Sequence, residues 1–259
     1  MISVEHVSCG YKQVPVVEDI SFTIHDNEFV CILGANGSGK TTLLKSMLGL
    51  IPLMQGRVLI DDVALHSLNE KQRAQKLAYI PQAHKPPFPF SVADVVLMGR
   101  TPHITSFNQA SNHDKECAMS AMEKMHITAL AQQPYTQLSG GQQQLVLIAR
   151  ALAQQPRLFI MDEPTSALDF GNEQKVLTIM KTLTQAGTSV LMVTHNPHHA
   201  LYCADTVLVL HNKHLLCSGN PQHVLSAACL ETIYQIPFEL HTCTLANGTQ
   251  RNVCFSSNL

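Results

Sequence analysis

Short apolar runs closed by glycine or acidic residues alternate along this chain with stretches whose leucines recur at helical spacing. From Ile2 to Ile24, segments rich in Val and Ile alternate with polar residues around the turn-like stretch Cys9-Gly10-Tyr11, a pattern that predicts antiparallel strands. The pattern then changes. Phe29 to Leu33 (FVCIL) is wholly apolar, ends in glycines and is followed by Lys40 to Leu50 (KTTLLKSMLGL), which predicts strand, loop and helix in that order. Leu158 to Met161 (LFIM) and Ser189 to Thr194 (SVLMVT) each end in polar or charged residues and flank a helical stretch from Glu173 to Gln185, so parallel strands in a βαβ unit are expected. Between Phe88 and Ala153 the reading is mostly helical: Ser91-Val-Ala-Asp94 fits a capping box, and Leu145 to Ala153 is an apolar helix. The expected fold is therefore α/β. It has a mixed-sheet core, an antiparallel β subdomain and a helical subdomain inserted at about residues 88–153 of one domain over 1–235. Residues 236–259 form a short C-terminal extension that reads, from Pro237 on, as one or two short strands or a loose end.

Composition narrows the classes. The 259 residues are 45% hydrophobic, enough for a substantial core, so disorder is not expected. The apolar runs fall far short of the ~20 residues a helix needs to span a bilayer, and MISVEHVSCG lacks the basic-then-apolar layout of a secretory signal. The chain is not expected to cross a membrane by itself. A net charge of -2 and a pI near 6.7 supply no basic field, and no nucleic-acid partner is expected. The eight cysteines are scattered singly and read as reduced thiols of a cytosolic compartment. The histidines are dispersed too, and the neighbours His198 and His199 read as surface residues for want of a third ligand.

Candidate chemistry begins at Gly34 to Thr42 (GANGSGKTT), which matches the phosphate-loop pattern G-x-x-x-x-G-K-[ST] between a predicted strand and helix. Gly34, Gly37 and Gly39 are expected to remove the Cβ atoms that would block a tight turn, so backbone N–H groups of Asn36, Ser38 and their neighbours can converge on phosphate oxygens at a helix N-terminus. Lys40 is placed to hold the β- and γ-phosphates of a nucleotide, the Thr41 hydroxyl to complete an oxygen shell around Mg²⁺, and Thr42 to contact the α-phosphate side, a layout that kinases, GTPases and helicases share. Downstream, the strand in LFIMDEP delivers Asp162 and Glu163 at its carboxyl end, the ligand-facing edge of a parallel sheet. Asp162 then serves as a Mg²⁺ ligand and Glu163 as the base that polarises the attacking water; the structural alternative is a cap for the next helix.

Leu138 to Gln142 (LSGGQ), ahead of that acidic strand end, resembles the signature of ABC ATPases. Tyr11, Gln82, Ser166 to Asp169 and His195 fall where that family has its adenine-stacking aromatic, Q-loop, D-loop and switch histidine. The resemblance covers roughly Ile2 to Leu225 and implies a P-loop NTPase cassette with a RecA-like core. It also implies roles. Tyr11 stacks on adenine, and Gln82 meets Mg²⁺ or the lytic water. Ser139, Gly140, Gly141 and Gln142 form an anion site that closes on the γ-phosphate held by a second copy, in a head-to-tail dimer enclosing two ATP. Asp169 communicates across that interface, and His195 contacts the γ-phosphate of its own subunit. Many relatives have Arg where this chain has Gln143, which implies altered interface tuning.

A free-standing cassette favours an importer, and Phe88 to His103 (FPFSVADVVLMGRTPH) is similar to the metal-chelate branch, whose cargoes include iron-siderophores, haem, cobalamin and molybdate. The implied partners are multi-span permease subunits, which hold the chain peripherally on the cytoplasmic side of the cell (inner) membrane, and, indirectly, a substrate-binding protein. The surface that moves them is expected at Gln82 and Phe88 to Arg100. A zinc or manganese importer and a soluble non-transport ABC ATPase are the alternatives.

Overall fold

The computed structural model describes residues 1–82, 89–104, 109–244, 248 and 250–256. The chain divides into two compact units, Met1–Ser67 with Ser189–Leu259, and Leu68–Thr188.

The first unit opens with a hairpin of β1 (Ile2–Tyr11) and β2 (Val14–Ile24). Its turn is not at Cys9-Gly10-Tyr11, where the sequence suggested one. Tyr11 pairs with Val14, and the intervening Lys12 and Gln13 take positive φ (50° and 64°), the backbone of a two-residue turn whose twist matches that of the strands. β3 (Phe29–Leu33) is buried at every position, and α1 (Lys40–Met47) starts directly after the glycine-rich loop. β4 (Leu53–Ile60) pairs antiparallel with the other edge of β1, and β5 (Val63–Ala64) completes a sheet of order β2-β1-β4-β5.

The second unit holds α2 (Glu70–Lys76), β6 (Leu77–Ile80), α3 (Val92–Leu97), α4 (Asn112–Lys124), α5 (Gly140–Gln154), β7 (Leu158–Asp162) and α6 (Phe170–Gln185). β6 and β7 pair in parallel. Ser91 caps α3 as expected: its hydroxyl accepts from the Asp94 N–H while the Asp94 carboxylate accepts from the Ser91 N–H. Val92, Val95 and Val96 face inward, and α3 packs against α4 and α5. Burying each valine is worth about 1.5–3 kcal/mol, which is why α3 forms despite its few turns.

Arg100 was expected on a partner-facing surface. It is buried at 4% exposure, and its side chain ties three segments of this unit together. Nε donates to Asp114 Oδ1 at 2.9 Å, and Nη1 donates to the Ala153 carbonyl at 2.8 Å and to Gln155 Oε1 at 3.0 Å. A guanidinium with this many satisfied donors is stable out of water, and removing it strands a carboxylate. Arg100→Met should therefore lower the melting temperature by on the order of 10 °C. The hydroxyl of Ser111, then Arg100, hold the Asp114 carboxyl down at about 2. A depressed carboxyl stabilises the fold fully above its ordinary range and loses that contribution as pH falls toward 2, so melts between pH 5 and 2 should lose stability in that window and Asp114→Asn should flatten the loss.

The first unit resumes with β8 (Ser189–Thr194), α7 (Pro197–Cys203), β9 (Thr206–His211), β10 (His214–Gly219), α8 (Pro221–Val224), α9 (Ala227–Tyr234), β11 (Phe238–Thr244) and β12 (Gln250–Ser256). β3 lies between β8 and β9, parallel to both, and β10 runs antiparallel on β9. The tail contains two strands: β11 and β12 pair with each other, β11 beside α9 and β12 beside α7. His199, read as a surface residue, is buried at 5% exposure, with its Nδ1 2.8 Å from the Thr194 hydroxyl. Phe88, where the partner-facing stretch and the helical insertion were expected to begin, lies outside the described residues. Among the described residues no helix is long and apolar enough to cross a membrane.

Candidate nucleotide site

β3 ends at Leu33, and the next residues form a loop closed from inside by Lys40, whose Nζ donates to the carbonyls of Gly34 and Ala35, each at 2.8 Å. The ammonium is 6% exposed and sits at the first position of α1, which concentrates positive charge at the helix N-terminus. Gly39 precedes it with φ 97°, and a Cβ there would stand 2.5 Å from Val17 Cγ1, so only glycine permits this approach. Gly37 corrects the expectation that all three glycines clear a steric block. A Cβ on Gly37 would meet nothing within 4 Å, and what favours glycine at this position is its left-handed backbone, φ 81°. Ser38 carries a buried hydroxyl oxygen with no hydrogen-bond partner among the described residues. Thr41 and Thr42 follow on the first turn of α1, with Thr42 buried. Tyr11 ends β1 with half its surface exposed.

His195 follows directly on β8, in a segment pinned on both sides. The Asn196 N–H donates to the Thr194 hydroxyl at 3.0 Å, and the His195 carbonyl accepts from the Tyr234 hydroxyl at 2.7 Å. Ala35, Asn36, His195, Ile233, Tyr234 and Gln235 line a cleft of about 400 Å³ in this unit.

In the second unit β7 carries the acidic pair. Asp162 is buried at 4% exposure, on the strand that pairs with β6, which carries Tyr79. Burial, then the Asp162 charge, push the Tyr79 phenol up to about 12, so it stays a proton donor through the physiological range. Tyr79 was missed in the sequence; its one signal is a hydroxyl-bearing side chain within the apolar run LAYI just ahead of Gln82. Glu163 adopts φ 48°, a left-handed backbone that costs a residue with a Cβ about 1–2 kcal/mol. Gln82 is brought to it: Nε2 donates to Glu163 Oε2 at 2.9 Å, which directs the amide oxygen elsewhere.

Ser139 is the N-cap of α5. Its hydroxyl accepts from the Gln142 N–H at 3.3 Å, and Gln142 Oε1 accepts from the Ser139 N–H at 3.0 Å. The expected anion site is thus also a capping box, which occupies the Gln142 side-chain oxygen but leaves the Ser139 O–H able to donate. A Cβ at Gly140 would meet nothing, whereas one at Gly141 would stand 3.2 Å from the Ala167 carbonyl. Gln143, the departure from the common Arg, donates to the Tyr135 carbonyl at 3.1 Å. Asp169 caps α6 by accepting from the Asn172 N–H at 2.8 Å, and that bond, before others, lowers its carboxyl below the ordinary value.

A family profile described as ABC transporter matches residues 17–166. The chain belongs to the ABC transporter family. An uncharacterized ABC transporter ATP-binding protein of Haemophilus influenzae is 39% identical over 98% of this chain and 96% of its own length. The molybdate import ATP-binding protein MolC of the same organism is 35% identical over 91% of this chain and 88% of its own. Among solved structures, an inward-facing conformation assigned to a metal-chelate type ABC transporter aligns over 98% of this chain and 96% of the other, with a TM-score of 0.85 at 31% identity. Membership makes this ABC cassette an α/β ATPase that binds nucleotide.

Proposed function

We propose that this ABC cassette hydrolyses ATP to energise import of a metal chelate or of an oxyanion such as molybdate. The observation that carries the reading is end-to-end similarity, tail included, to a subunit of a metal-chelate type transporter, not to its ATPase core alone. In this reading residues 1–235 form the ATPase domain with a helical insertion near 88–153, and 236–259 form its C-terminal extension.

The phosphate loop from Gly34 to Thr42 holds the triphosphate, with Lys40 as its point charge and Tyr11 stacked on adenine. Thr41, Asp162 and Gln82 are hard oxygen donors of the kind Mg²⁺ takes, and bound there the ion would neutralise charge on the phosphates. Glu163 accepts the proton of the attacking water, Gln82 orients that carboxylate, and His195 supports the γ-phosphate.

Ser139, Gly140 and Gly141 serve the nucleotide of a second copy, and Asp169 of each copy reports across the dimer. Membrane association comes through permease subunits, whose motion follows closure and reopening of the dimer. The test is isolation of the tagged chain from native membranes followed by reconstitution into vesicles. A multi-span partner should copurify, and ATP should drive uptake of molybdate or a ferric siderophore. Hydrolysis stimulated by DNA, with no membrane partner recovered, would sink the reading.

A further inference from the structure

The strongest unexplained contact near the phosphate loop comes from the far end of the chain. Tyr234 is the last residue of α9, more than sixty positions beyond the family profile, which ends at residue 166. Its hydroxyl donates to the backbone carbonyl of His195 at 2.7 Å. We propose that Tyr234 is a positioning residue for ATP hydrolysis, a strut that sets the switch histidine through its main chain. The inference rests on the reading that His195 acts at the γ-phosphate.

The strut is rigid at its base. Ser226 caps α9 by accepting from the Cys229 N–H at 3.2 Å, and Leu230 and Ile233 are buried beneath the helix. The helix stops at once after Tyr234 because Gln235 turns left-handed, φ 58°. The Tyr234 ring leans on Phe238, 5.7 Å between centroids, and the Phe238 N–H donates to Glu231 Oε1 at 3.2 Å. The ring therefore has little freedom to swing. Burial raises the Tyr234 phenol above its ordinary value, so the hydroxyl remains a donor at any pH at which the protein works.

The other end of the strut is a segment with matching restraint. Thr194 and Asn196, on either side of His195, both hydrogen-bond to the buried His199, at 2.8 and 3.2 Å. Those bonds fix the flanks but leave the His195 peptide carbonyl to Tyr234. The same cleft is lined by Ala35 and Asn36 of the phosphate loop, so a shift of the His195 backbone changes what that loop faces. In catalysis by orientation, displacement of a group by about 1 Å lowers the rate far more than it lowers binding.

The experiment measures ATP turnover by the dimer in complex with its permease, for wild type, Tyr234→Phe, His195→Ala and the double variant. Phenylalanine keeps the ring and its packing and removes only the hydroxyl. Loss of one hydrogen bond predicts about a three- to tenfold fall in kcat, with KM for ATP unchanged and the melting temperature lowered by only about 2–4 °C. The double variant should be no slower than His195→Ala alone, because a group acting through His195 has nothing left to act on. A wild-type kcat in Tyr234→Phe beside a slow His195→Ala overturns the inference and leaves the histidine reading standing. So does a full further loss in the double variant. Wild-type turnover in His195→Ala overturns the histidine assignment itself and the strut with it.

Discussion

Glu163→Gln slows ATP turnover by about 10²–10⁴-fold, the range a positioned general base contributes, and leaves nucleotide binding intact. The geometry makes this a clean substitution. The strand β7 and its left-handed terminus at φ 48° hold the side chain whatever its charge, and the amide still offers an oxygen to Gln82 Nε2, now 2.9 Å from the carboxylate. What disappears is the ability to take a proton from water. With hydrolysis stalled and both triphosphates in place, the dimer should persist in ATP and separate in ADP. Steady-state phosphate release and size-exclusion chromatography in each nucleotide measure the two halves of the expectation, and normal turnover removes Glu163 from the role of base. Glu163→Gly should be equally inactive yet more stable by about 1 kcal/mol, because glycine relieves the left-handed strain.

Lys40→Ala acts one step earlier and should weaken ATP binding by about 10²–10³-fold, the loss of two charge-assisted contacts. The ammonium is buried and held by the carbonyls of Gly34 and Ala35. It therefore shapes the loop as well as charging it. Arginine does not substitute: its planar fork cannot fit between two carbonyls that a compact ammonium reaches from one point. Titration with a fluorescent nucleotide gives the affinity, and near wild-type binding by Lys40→Arg would show that charge alone suffices. The two variants separate cleanly, since one binds without turning over and the other fails to bind.

The elements that carry these predictions were legible along the chain because their signals are local. The run FVCIL, then Gly34, Gly37 and Gly39 and the lysine after them, read as strand, loop and helix without reference to anything distant, and β3 and α1 stand there. The separate reason for each glycine was not legible: Gly39 is set by the approach of Val17 from another strand, and Gly37 by its own backbone angle. The Ser91 capping box, the strand before Asp162 and the helix of LVLIARALA were equally self-contained. β4 escaped notice because its first half, Leu53 to Arg57, is largely exposed and shows no alternation. The hairpin turn was misplaced because Gly10 looks like a turn residue, while the actual turn uses Lys12 and Gln13, whose left-handed backbone no composition rule announces.

Sequence alone therefore determined the local frame of this ABC cassette: a glycine-rich loop between strand and helix, an acidic strand end and a capped helix start, each written in neighbouring residues whose spacing dictates local backbone geometry. Tertiary structure decided what surrounds them. That Arg100 is an internal tie to Asp114, Ala153 and Gln155, that the Asp162 charge bears on the Tyr79 phenol, and that Tyr234 reaches the carbonyl of His195 all depend on pairings between residues far apart in the chain. The physical reason is that a hydrogen bond is specified by two partners in space. A linear pattern records only one of them at a time.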